Sequence, residues 1–141
     1  MIFEMKLNDE PFQKIKSGSK TIELRLYDAK RRRLDLGDYI TFSRVGNLDD
    51  KIAVKVKALY RSNSFRELFE DIPIEKCGNN SDMPVSDVVA RLRKFYSEEE
   101  ELRYGVLGIK VELFDMGELQ KIKERLVEAY YDYYYPDGDQ L

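Results

Sequence analysis

An α+β fold, a small mixed β-barrel flanked by α-helices, is predicted by three observations. Runs that alternate apolar and polar residues, the signature of half-buried strands, recur at 2–7, 20–27, 39–45, 52–61 and 104–114. Stretches with apolar residues at three-and-four spacing lie between and after them, opening on residues that cap helices. The length of 141 residues is that of one domain and suffices to bury most of the unfolded chain's surface.

Ile2–Leu7 is the first strand, and Asn8 or Asp9 caps a short helix with Pro11 in its first turn and Phe12 and Ile15 toward the core. Gly18, the residue most able to adopt a left-handed conformation, ends that helix and lets the chain reverse into a strand at Lys20. The period of two puts Ile22, Leu24 and Leu26 on one face and Thr21, Glu23, Arg25 and Tyr27 on the other. Glu23 and Arg25 are then about 7 Å apart along the backbone. Two readings of that second face stand: a solvated surface whose ion pair contributes under about 1 kcal/mol, or charged groups framing one ligand.

Asp28 favours a turn or cap, so Asp28–Arg33 reads as a capped turn or short helix carrying four consecutive bases. Gly37-Asp38 turns the chain into Tyr39–Val45, Gly46–Asp50 turns it again, and Ile52–Arg61 completes a hairpin. In that last strand Val54, Val56, Ala58 and Tyr60 are expected on an apolar face, and Lys55, Lys57, Leu59 and Arg61 on a largely basic one. Ser64 with Glu67 matches a capping box ahead of Leu68, Phe69 and Ile72, and Pro73 ends that helix. A loop with Cys77 leads to an amphipathic helix using Val85, Val88, Val89, Leu92, Phe95 and Tyr96. Ser97 with Glu100 opens a short acidic helix; its consecutive glutamates, Glu98 to Glu101, do not converge on a metal, and a helix N-terminus favours acids in any case. Leu107, Ile109, Val111 and Leu113 share one face of the strand 104–114. Asp115 and Glu118 cap a terminal helix with Leu119, Ile122, Leu126, Ala129 and Tyr133 on one stripe, and Pro136 and Gly138 stop it.

The chain has no histidine and one cysteine, so an internal disulfide, a His/Cys zinc site and histidine-dependent nuclease chemistry are excluded. No metal or cofactor is expected, for no dinucleotide-binding glycine pattern, P-loop or HExxH sequence occurs. Acid/base chemistry would fall to Lys, Asp, Glu or Tyr, tuned by their surroundings. The net charge of −3 is unevenly spread: Lys14 to Arg33 holds eight bases against two acids, whereas Glu112 onward holds eight acids against three bases. The basic segment can attract phosphate locally despite the acidic whole. No apolar run approaches the roughly 18 residues of a membrane span, and Glu4 and Lys6 interrupt the start, which predicts a cytoplasmic protein without a membrane partner. Tyr130, Tyr131, Tyr133, Tyr134 and Tyr135 lie among acids that repel phosphate, which favours packing or self-association through the terminal helix over base stacking.

Gly18-x-Lys20-x-x-Glu23-x-Arg25, set after a first helix and before a Gly37-Asp38 turn into a hairpin, resembles the motif of the ASCH domain family, related to the PUA domains. The resemblance covers residues 1–114, leaving 115–141 as a helix and acidic tail packed on or extending the same domain. It implies a PUA-like barrel with a basic cleft for RNA or a modified nucleotide. Lys20 would act there as a point charge on phosphate and Arg25 as a planar fork, with Glu23 orienting both. Tyr27, Tyr60 or Tyr104 would stack on a base, and Lys55, Lys57 and Arg61 would track a backbone. An alternative is a hydrolase using Lys20 and Glu23, for some small members resembling this chain at Lys20 cleave the amide of N4-acetylcytidine and others are ribonucleases. In the amidohydrolases a threonine stands where this chain has Glu23.

Overall fold

In the computed structural model, which describes residues 1–136, five strands and five α-helices are present among those residues. The sequence-predicted helix stop at Gly138 and the acids Asp137 and Asp139 lie outside the described residues. The strands are β1 (Ile2–Leu7), β2 (Ile22–Leu26), β3 (Tyr39–Arg44), β4 (Asn47–Ser62) and β5 (Val106–Phe114). The helices are α1 (Asp9–Ser17), α2 (Phe65–Asp71), α3 (Val85–Leu92), α4 (Glu98–Tyr104) and α5 (Met116–Tyr134). One sheet of order β1-β3-β4-β5-β2, parallel only between β1 and β3, curls into a half-barrel. Side chains bridge its two edges, as Arg25 from β2 donates to the Lys6 carbonyl of β1 at 2.8 Å and Lys30 donates to the Glu4 carbonyl. The expected α+β class holds, with helices packed on a curled mixed sheet.

Two apolar clusters sandwich the sheet. Phe3, Met5, Leu7, Phe12, Ile40, Phe42, Val54, Leu107 and Ile109 fill the concave side. Ile22, Leu24 and Leu26 pack with Phe65, Leu68, Phe69, Val88 and Val89 from α2 and α3 on the other side. This double burial overturns the solvated reading of β2. Glu23 lies directly across from Ile109 and Arg25 from Leu107, and antiparallel partners project to the same face, so the polar face of β2 looks toward the barrel interior.

Capping chemistry was well marked in the sequence. Ser64, Ser97 and Asp115 each accept a hydrogen bond from the backbone N–H three residues on, and the Ser97–Glu100 box is reciprocal. Gly18 ends α1 at φ 85°. Several expectations are corrected. The hairpin turn is tighter than Gly46–Asp50, because β4 already begins at Asn47. Lys57 is an extra residue in β4 between the paired Val56 and Ala58, and such a bulge reverses the alternation beyond it; Leu59 therefore packs on the concave core while Tyr60 is exposed. The helix α3 stops at Leu92, so Phe95 leaves the apolar stripe and stands 61% exposed, while Tyr96 packs on Phe65 at 5.5 Å. Leu113 is 47% exposed at the end of β5, past its last β2 partner. Leu119 anchors α5 in the core, whereas Leu126, Val127, Tyr130, Tyr131, Tyr133 and Tyr134 are exposed. Among the described residues no helix is long and apolar enough to cross a membrane.

Candidate functional site

β2 carries Glu23 and Arg25, and the extended segment before it carries Lys20, which the sequence had placed at the start of the strand, into a cleft of about 260 Å³ between β1, α1 and the α3–α4 connection. Glu23 is 3% exposed and Lys20 9%. The Glu23 carboxylate is saturated: Oε1 accepts from Lys20 Nζ at 2.8 Å and the Leu24 N–H at 3.1 Å, and Oε2 from Arg25 Nε at 3.2 Å and Nη2 at 3.0 Å. Burial pushes the Glu23 pKa upward, but the charges of Lys20 and Arg25 outweigh it and hold the carboxyl below its usual range. The group is an anion clamped between two cations.

The Lys20 stem is held by the segment that follows α2. Thr21 N–H donates to the Lys76 carbonyl, and Lys14 Nζ donates to the Gly78 carbonyl at 2.7 Å. Gly78 sits at φ 93°, where a Cβ would come within 3.3 Å of the Lys14 and Lys20 side chains, so glycine lets this loop close over the lysine. Above the charges the walls are largely apolar, with Leu7, Pro11, Leu24, Val88 and Leu92, and Phe95 and Arg91 stand at the exposed rim. Burial raises the Tyr96 pKa, leaving a neutral hydroxyl. It also pushes the Cys77 thiol up to about 12, the opposite of what a nucleophile requires.

The predicted site residues do not form one group. Lys20, Glu23 and Arg25 share the first cleft. Tyr27, Arg61 and Tyr104 line a second, wider hollow of about 680 Å³ beside it, with Arg103, Leu102 and Gly105. Lys55 belongs to neither; it sits across from Tyr39, its ammonium 5.8 Å from that ring. Lys57 lies at the bulge, 3.9 Å from Glu112. Sequence reasoning missed Phe95 as a cleft residue by extending the helix stripe one turn too far. It also missed Glu101, read only as one of four acids favoured at a helix N-terminus, which is buried, accepts from the Phe65 N–H at 3.0 Å and pairs with Arg93 at 2.7 Å. That carboxylate ties α4 to the start of α2. Among the described residues no group of His, Cys, Asp and Glu is arranged to hold a metal.

Solved structures share this architecture. The crystal structure of hypothetical protein PH0355 is 39% identical, with a TM-score of 0.71 over 81% of this chain and 100% of that one. The solution NMR structure of protein PF0455 from Pyrococcus furiosus is 37% identical, with a TM-score of 0.63 over 82% of this chain and 99% of that one. No curated protein matches. The family model of the ASCH domain matches residues 5–115, from β1 to the last residue before α5, and with the half-barrel and the Lys20–Glu23–Arg25 cluster in place the chain belongs to the ASCH domain family.

Proposed function

We propose that the protein binds RNA or a modified nucleotide in the first cleft. The observation that carries this reading is the buried Lys20–Glu23–Arg25 cluster at the base of an apolar, nucleotide-sized cleft. Glu23 holds both cations in fixed positions, so little side-chain entropy is lost when they meet an anion. Lys20 Nζ retains two donors beyond its bond to Glu23, and Arg25 Nη1 makes no hydrogen bond among the described residues. The apolar walls and the exposed Phe95 ring offer a base a stacking surface. Binding is favoured over hydrolysis by the same contacts: a lysine donating to a carboxylate held anionic is poorly placed to accept a proton.

The test is binding of short single-stranded RNA and of cytidine monophosphate at two salt concentrations, comparing wild type with Lys20→Ala, Arg25→Ala and Phe95→Ala. Phe95 is exposed, so its variant keeps the test independent of folding. Each substitution is expected to weaken binding about tenfold. Unchanged affinity in all three refutes the reading, and turnover of N4-acetylcytidine that disappears with Lys20→Ala replaces it with the hydrolase.

A further inference from the structure

The bulge at Lys57 has placed a second set of cations beside the first cleft. Because the alternation of β4 reverses there, Arg61 pairs with Leu107, which pairs with Arg25, so Arg25, Leu107 and Arg61 form one row across three neighbouring strands on the same face. At the usual strand spacing Arg25 and Arg61 are about 10 Å apart at their backbones, within reach of one short strand. The Arg61 guanidinium lies over the Tyr27 ring, 4.1 Å from its centroid, and Arg32 approaches the same ring at 5.1 Å. Arg61 and Arg103 make no ion pair among the described residues, and the buried acid in the hollow, Glu101, is consumed by Arg93 and the Phe65 N–H. Glu67 remains as the other acid of the lining. Leu102, 87% exposed, stands at the rim. Gly105, at φ 74° and ψ −176°, a conformation open essentially to glycine, accepts from the Tyr27 N–H at 2.9 Å, and Tyr27 and Tyr104 line the same hollow.

We infer that the hollow lined by Tyr27, Arg61, Arg103 and Tyr104 is a second subsite for single-stranded RNA, taking the nucleotide next to the one held over Lys20 and Arg25. The inference rests on the binding reading of the first cleft. Arg61, stacked and free of a carboxylate, meets the phosphate between the two nucleotides, and Arg103 meets the following one; the half-buried Tyr104 ring and the exposed Leu102 receive the base. A mononucleotide occupies the first cleft alone, whereas an oligonucleotide spans both.

The experiment titrates wild type and the Arg61→Ala/Arg103→Ala variant with labelled hexauridylate by fluorescence anisotropy, and with uridine monophosphate by calorimetry, across a salt series. The double variant should bind hexauridylate about tenfold or more weakly. Its slope of log K against log salt should be shallower by about 0.7 for each phosphate that it no longer neutralises. Its mononucleotide affinity should equal that of wild type. Tyr27→Leu should likewise weaken only the hexamer, about fivefold or more. Hexamer binding that is unaffected by the double variant but weakened by Lys20→Ala overturns the second subsite and leaves the first reading intact. An equal loss for mononucleotide and hexamer also overturns it, since the two hollows are then not separate. Indifference of both probes to Lys20→Ala, Arg25→Ala and Phe95→Ala overturns both readings.

Discussion

Glu23→Gln is expected to be among the most destabilising conservative substitutions in this chain. The carboxylate lies 2.8 Å from Lys20 Nζ and 3.0 Å from Arg25 Nη2, and at an effective dielectric of about 20 each pairing supplies roughly 6 kcal/mol of attraction. Desolvation of the three charges, several kcal/mol per ion, cancels most of it, so the intact cluster adds little net stability. Removing the anion alone leaves the lysine ammonium buried without its counter-charge, which costs about 3–5 kcal/mol. With a urea m-value of about 2 kcal/mol/M the unfolding midpoint should fall by about 2 M. Lys20→Met in the Glu23→Gln background should restore more than about 1 kcal/mol, because it withdraws the stranded cation. The pH dependence has a definite sign. The folded-state pKa of Glu23 is depressed, so the stability it contributes is complete above the unfolded value near 4.3 and disappears as pH falls through the folded value. Wild type and Glu23→Gln should therefore differ by a constant amount between pH 5 and pH 7, at roughly the values named, and converge in stronger acid. A loss below about 1 kcal/mol at neutral pH, or strict additivity with Lys20→Met, would refute the clamped-anion description.

Gly105→Ala should cost about 1–3 kcal/mol in chemical denaturation, since the residue sits at φ 74° and its Cβ would come within 3.1 Å of the Ser62 carbonyl oxygen; a neutral result means the α4–β5 junction is more adaptable than described. Cys77, buried and with its thiol pKa pushed up to about 12, should resist iodoacetamide in the native protein and react promptly in denaturant, as read by mass spectrometry. The exposed Leu126, Val127 and tyrosines of α5 are proposed to pair copies of the chain; sedimentation should show a higher-order species that Leu126→Glu/Tyr130→Glu returns to monomer, and a monomer at every concentration of wild type would rule this out.

What the sequence made legible was local. Alternation located all five strands, three caps were identified by their oxygen-bearing side chains, and Gly18 was placed at the end of α1 because few other residues tolerate its φ of 85°. Glu23 and Arg25 share a face because side chains two residues apart on a strand do so, and Lys20, just before β2, reaches the same cleft by pairing with Glu23. The features that escaped depend on partners distant in sequence. Burial of Glu23 follows from Ile109 lying across from it on β5, and burial of Glu101 from the N–H of Phe65, 36 residues earlier. The reversal at Lys57 carries no compositional mark, since a lysine suits a bulge and an exposed strand position equally well. Phe95 was misassigned because three-and-four spacing says where a helix would bury a residue, not whether the helix reaches it.

The extra residue in β4 amounts to a change of parity within a single strand. Before Lys57, even-numbered positions make the concave core through Val54 and Val56; after it, odd-numbered positions face inward as Leu59 and Arg61. One uninterrupted run of hydrogen-bonded backbone thus serves as structural wall in its first half and as display surface in its second. Straightening the bulge, so that Lys57 itself paired with Lys110, would leave composition and charge untouched, yet it would exchange the inward and outward sets beyond that point and set Tyr60 across from Leu107 where Arg61 now stands. The point at which the strand leaves one residue unpaired carries information that no side chain in it encodes.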